Sequence, residues 1–267
     1  MSTSSMDRVL STPELLEKVL IQLPPRDLLV HAQCVSRAFH SLITSSPSLQ
    51  QALYFRGKPG EAGRAAELNP LLKETFPPWY KDVRALASWY DWARDEDLET
   101  MEWNSSDQKR AAYARSDASW RRMLVVQPPV ATLKVIRTLH HMRGSDERKA
   151  EIRRSDGLRM GTLYDLVEGG NGMYSTSSFS LLWHMFPAAD YKRAKGEVAA
   201  DDDEEDGEDE DAEEEEEDVG DDYAECELEN CITIFMNYHA SCIPSAWTLG
   251  RTLTSHGYEE VELDWEE

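Results

Sequence analysis

Apolar positions near the start of the chain fall at helical intervals. Leu15, Leu16, Val19, Leu20 and Leu23 stand at i, i+1, i+4, i+5 and i+8, one broad stripe on a helix. Thr12 can cap the free backbone N–H groups, Pro13 suits the first helical position, and Glu14 favours the positive helix end. Pro24-Pro25 ends that helix, because proline has no N–H to give to the preceding turn. After Asp27, the positions Leu28, Leu29, Ala32, Val35, Phe39, Leu42 and Ile43 predict a short helix and then a longer one closing near Ser45. Ser46-Pro47 opens another short helix through Leu49, Ala52 and Leu53. Three or four short helices are a small unit for burying a core of their own, and their surplus leucines predict a partner.

Beyond these helices the pattern is mixed. Arg56 to Asn69 is rich in Gly, Ala and charge and reads as a linker over 56–70. A helix is predicted from Lys81 on Val83, Leu86, Trp89, Tyr90 and Ala93. Ser105 with Gln108 reads as a capping box for a helix whose buried side carries Tyr113, Trp120, Met123 and Leu124. Gln127-Pro128-Pro129 breaks it, and Val130, Leu133, Val135 and Ile136 fit strand or helix. Leu163, Leu166 and Val167 predict a short helix before Gly169-Gly170, and Phe179, Leu181, Leu182 and Trp183 a buried strand or a helix start. Ile232, Ile234, Met236 and Tyr238 alternate as a strand; Ser245 to His256 reads as a helix stopped by Gly257; Val261, Leu263 and Trp265 form a polar-faced strand. The fold class is therefore α+β: N-terminal helices over 9–55, then a mixed α+β domain over 71–195 and 223–267.

The N-terminal spacing is specific as a set. Thr12-Pro13-Glu14-Leu15-Leu16, the run Val19 to Pro24, Asp27-Leu28-Leu29, Cys34-Val35-Ser36-Arg37-Ala38-Phe39 and Leu42-Ile43 together resemble the F-box. Two departures exist: Ser11-Thr12 stand where the family usually has Leu-Pro, and Phe39 where Trp is commonest. The resemblance implies a three-helix unit that docks on a Skp-family adaptor and, through it, on cullin. It places adaptor binding on Pro13, Glu14, Leu15, Leu16, Val19, Leu20, Leu23, Pro24, Leu28, Leu29, Val35 and Phe39. Downstream, Asn69-Pro70-Leu71-Leu72, the run Trp120 to Leu124 with Gln127-Pro128-Pro129, and the run Gly157 to Gly161 resemble the second half of F-box proteins from filamentous fungi. No residue role follows from that second likeness. No repeat at a fixed period suggests a propeller or a leucine-rich array.

Charge changes the picture in one place. The net charge is −23, but residues 201–222 hold eighteen Asp or Glu and no Lys or Arg. The segment 196–222 therefore reads as a disordered acidic insertion, and the acidity argues against nucleic-acid binding. The absence of an apolar signal core or spanning stretch predicts an intracellular protein without a membrane role, its cysteines reduced.

Candidate chemistry is sparse, and no cofactor is implied. Cys226, Cys231, His239 and Cys242 lack a tight C-x-x-C knuckle and read as buried thiols with a polar histidine, so no metal site is expected. His140-His141 diverge on a helix, Gly169-Gly170-Asn171-Gly172 reads as a turn, and no nucleophile–base pair is evident. Arg121-Arg122 and Arg153-Arg154 are candidate readers of a phosphorylated or acidic motif, although solvated charge is the plainer reading. The expected function is a non-catalytic substrate-recognition subunit of a ubiquitin ligase, nuclear or cytoplasmic, with an unidentified protein target. The rival readings are an adaptor-bound scaffold outside ubiquitination and an acidic histone-binding or basic-protein-binding protein.

Overall fold

Proline and serine punctuation divides the first 53 residues of the chain into short helices. The structure, a computed structural model, describes residues 5–59, 65–86, 91–142, 144–168, 176–186 and 230–239, with short strands at 252–253 and 261–262. Helix α1 (Ser5–Ser11) precedes α2 (Pro13–Leu20), which has proline in its first turn. Then α3 (Pro25–Asp27) runs through a π-helical turn over Leu28–Ala32 into α4 (Gln33–Val35). Extended Ser36 breaks the chain there, and its side chain caps α5 (Arg37–Ser45) by accepting from the Phe39 N–H. Ser46 does the same for α6 (Pro47–Ala52), and its hydroxyl donates to Glu17 Oε1 at 2.8 Å, tying α6 to α2. Leu16, Leu20, Leu28, Ala32, Ile43, Leu49 and Leu53 form the buried core of this unit.

The chain leaves the helices through Tyr54, whose φ of 60° is left-handed. The Phe55 N–H reaches back to the Gln50 carbonyl at 2.9 Å, the reversal that usually places glycine at this position. Tyr54 is held there from outside: its carbonyl accepts from the Leu124 N–H at 2.8 Å, and its ring lies in the downstream core. Within the stretch expected as a linker, Glu67–Leu68 form β1, which pairs with β3 (Val126–Gln127). Asn69 then caps α7 (Pro70–Thr75).

Among the described residues the helix expected from Lys81 does not form; Trp89 and Tyr90, on which it also rested, lie outside them. Pro77–Tyr80 and Val83–Ala85 are single 3₁₀ turns, and Ala93–Arg94 is strand β2. Asp82 decides this locally. Its carboxylate receives a two-pronged bond from Arg84 (2.8 and 2.9 Å) and the backbone N–H of Trp183 (2.8 Å), fastening the turn to a neighbouring strand. Arg84 also donates to the Trp183 and Phe186 carbonyls, so this buried pair is fully engaged. Helix α8 (Asp95–Glu99) follows, then a 3₁₀ turn over Glu102–Asn104. The next helix, α9 (Asp107–Tyr113), is capped by Ser106 rather than Ser105 and stops short of Trp120, which sits in a separate 3₁₀ turn (Ser119–Arg122).

The main sheet has the order β2-β6-β7-β4-β5, with β4 (Thr132–His141), β5 (Gly144–Arg153), β6 (Thr176–Trp183) and β7 (Cys231–His239). β4 and β7 are parallel; the other neighbours are antiparallel. The register aligns Leu133, Val135 and Leu139 with Ile232, Ile234 and Tyr238, and these with Leu181 and Trp183, on one buried face. Helix α10 (Met160–Glu168), as expected before Gly169, brings Leu163, Tyr164 and Leu166 to Trp79 and Phe76 in this core. The opposite face buries Phe235 and Leu182 with Val83 and Trp92. At the turn before α10, Gly157 has φ +94°, and a Cβ there would lie 2.6 Å from Pro129.

Other expectations fall elsewhere. The acidic segment 196–222, Cys226 and Cys242 lie outside the described residues. Thr252–Leu253, within the expected helix Ser245–His256, instead pair as β8 with β9 (Val261–Glu262). Among the described residues no helix is long and apolar enough to cross a membrane.

Candidate functional site

Helix α2 has two apolar faces, not one. Leu16 and Leu20 point into the small core, while Leu15 (42% exposed) and Val19 (50%) face solvent. The stripe read from sequence is wider than one interface because its members alternate in adjacent pairs; each pair sends one residue inward and one outward. The π turn repeats the division: Leu28 and Ala32 are buried, whereas Val30 is exposed. Of the seven large apolar side chains exposed among the described residues, six lie between Leu10 and Val35: Leu10, Leu15, Val19, Leu23, Val30 and Val35. Val35, beside the break at Ser36, is 64% exposed.

The twelve residues named from the family pattern therefore fall into two groups. Pro13, Glu14, Leu15, Val19, Leu23, Pro24 and Val35 are exposed. Leu16, Leu20 and Leu28 are core, Phe39 packs partly against that core, and Leu29 bridges it to the downstream core. The buried group shapes the surface; the exposed group is what a partner can touch. Leu10 and Val30 belong to the exposed group and were missed, because neither lies in the segments that carry the family resemblance.

The arginine pairs are placed differently. Arg121 is buried, its guanidinium 2.7 Å from Asp165 and stacked over Trp120 and Tyr164 at 4.8 and 5.2 Å. It holds α10 to the turn before Met123 and presents no fork to a target. Arg122 lies over the Phe55 ring at 5.3 Å. Arg153 is exposed and donates to Glu151, its neighbour on the same face of β5, and the Arg154 backbone N–H bonds Ala131. The two pairs sit on separate elements, so no common anion site is built.

Cys231 and His239 cannot share one metal ion, because β7 separates them. Cys231 and His239 occupy its two ends, roughly 26 Å apart at the rise of an extended chain. Among the described residues no three His, Cys, Asp or Glu converge on a metal position. His239 stacks on His140 at 4.8 Å, and burial, then the neighbouring His140, holds its pKa below the usual histidine value.

The N-terminal unit is joined to the rest of the chain by polar and apolar contacts. The Gln127 side chain donates to the Gln51 and Arg56 carbonyls at 3.0 and 3.1 Å, and Arg26 pairs with Glu74 at 2.8 Å. Phe55 packs against both cores.

No curated protein and no solved structure matches the chain. The family model of the F-box domain matches residues 12–51, which spans α2 to α6 almost completely. The N-terminal helical unit of this protein is an F-box.

Proposed function

We propose that this protein is the target-binding receptor of a Skp–cullin–F-box ubiquitin ligase. F-box domains bind Skp-family adaptors, and F-box proteins are typically non-catalytic subunits of such complexes. The observation that carries the reading is the exposed apolar face of α2 and the π turn, left open beside a complete small core. A face of this kind is covered by a partner in working proteins. Leu15, Val19, Leu23 and Val35, with Leu10 and Val30, make the contact; Leu16, Leu20 and Leu28 fix its shape. Ubiquitin transfer then follows from proximity: a lysine of the bound target is held at high effective concentration near the ubiquitin-charged enzyme carried by cullin. The test is co-elution of the full-length chain with purified adaptor and cullin. The ligase reading predicts one ternary peak. Adaptor binding without cullin contradicts it and favours a scaffold outside ubiquitination.

A further inference from the structure

The two ends of the main sheet differ. One is closed by β2, two residues long, and the other by β5, ten residues long. β5 pairs with β4 along one side over its whole length, and among the described residues no strand pairs with its other side. A long open edge offers a row of backbone donors and acceptors to any extended chain, and proteins usually guard one with charge. Here the charges follow a pattern. Ala150 and Ile152 turn into the downstream core, while Glu147, Lys149, Glu151 and Arg153 stand exposed on the opposite face and alternate in sign.

An alternating run of this kind is complementary to itself in reverse. Let two β5 strands lie antiparallel, side by side, with a two-fold axis through Ala150. Glu147 then faces Arg153 of the second copy and Lys149 faces Glu151, and the symmetry repeats both pairs. Directly opposite Cβ atoms on such a pair of strands are about 4.5–5.5 Å apart, close enough for opposite charges to attract and like charges to repel. On the other face Asp146 falls opposite Arg154 and Arg148 opposite Ile152, so no like charges meet there. Ala150 meets its own copy on the axis, where a small side chain is needed. Moving the axis one residue either way sets Lys149 or Glu151 against itself, and parallel pairing in register sets every charge against its like. Within one strand Glu147 already lies 3.0 Å from Lys149 and Glu151 2.5 Å from Arg153, so a second copy extends two local pairs into a ladder of alternating sign.

We propose that the outer edge of β5 is a docking surface for a second copy of this chain, joined antiparallel about Ala150 into one sheet that runs through both copies. The alternating charges block other registers and admit this one. A seam one strand deep is at the small end of protein interfaces, so the dimer dissociates on dilution.

The test is sedimentation of the full-length chain from about 1 to about 200 µM, in about 0.15 M salt so that distant charges are screened. The wild type should pass from monomer to dimer across that range. Glu147→Lys with Glu151→Lys makes the exposed row wholly positive, and Lys149→Glu with Arg153→Glu makes it wholly negative. Each double variant alone should dimerise about tenfold more weakly or worse, and an equimolar mixture of the two should restore a dimer of wild-type strength. All four positions are exposed, so both variants should keep a thermal midpoint close to wild type. Should either lower it, Glu147→Lys alone, which meets Arg153 of the second copy twice across the axis, carries the same test. A wild type that stays monomeric throughout overturns the proposal. Folded variants that dimerise as the wild type does overturn it as well, and so does a mixture that stays monomeric.

Discussion

The F-box helices and the downstream sheet use the same kinds of apolar residue to different ends. Downstream, Leu133, Val135, Ile232, Ile234, Leu181 and Trp183 all close into one buried face, and the single large apolar side chain exposed there among the described residues is Met142. The F-box buries seven residues and leaves six large ones in solvent within a short stretch. Among the described residues the downstream apolar side chains are covered by their own fold, while the F-box covers only its centre. Unfinished burial beside a finished core is the physical mark of a docking surface.

The strongest test of this contrast lies in the downstream region. Asp82→Ala strands the buried Arg84 guanidinium and should cost about 3–5 kcal/mol in urea unfolding, whereas Asp82→Leu with Arg84→Met should recover most of the loss. A single variant as stable as wild type means the pair does not hold the turn to β6. In the F-box, two neighbours on α2 should behave oppositely. Leu20→Ala should cost about 2–5 kcal/mol through the cavity it leaves. Val19→Ala, one residue away, should stay within about 0.5 kcal/mol of wild type. Equal losses at the two positions contradict the two-faced helix.

The smallest effect concerns pH. His239 has its folded-state pKa lowered by burial and by His140, so the unfolded chain takes up that proton first as pH falls. Its contribution is fully present above the unfolded value of about 6.5 and is lost as pH drops through that value toward the folded one. His239→Gln should therefore lose less stability than wild type between about pH 7 and about pH 5. Parallel thermal midpoints for the two proteins across that range remove the histidine from the account.

Much of this architecture was legible in the residues. Helices α2, α5 and α6 follow from periodic leucines between prolines and capping serines, and β7 from its alternating run around Ile234. β5 was not legible, because an edge strand protected by Glu147, Lys149, Glu151 and Arg153 carries the composition of a loop. The helix expected at Lys81 failed because Asp82 and Arg84 make long-range bonds to Trp183 and Phe186 that no local pattern records. At the site, most of the apolar set was legible, Leu10 and Val30 excepted, but its division was not. Leu15 and Leu16 are equivalent in a spacing argument and opposite in the fold, since only the position of α5 and α6 decides which side of α2 is covered.

The central claim is that the exposed F-box residues, and not the buried ones, make the adaptor contact. It is tested most directly by titrating purified Skp-family adaptor against the full-length chain and its Leu15→Asp, Val35→Asp double variant. Both positions are open to solvent, so the variant should keep a thermal midpoint close to wild type. Its adaptor affinity should fall about a hundredfold or more, as expected when two apolar contacts are replaced by charges buried without partners. A folded double variant that binds the adaptor as tightly as wild type contradicts the claim.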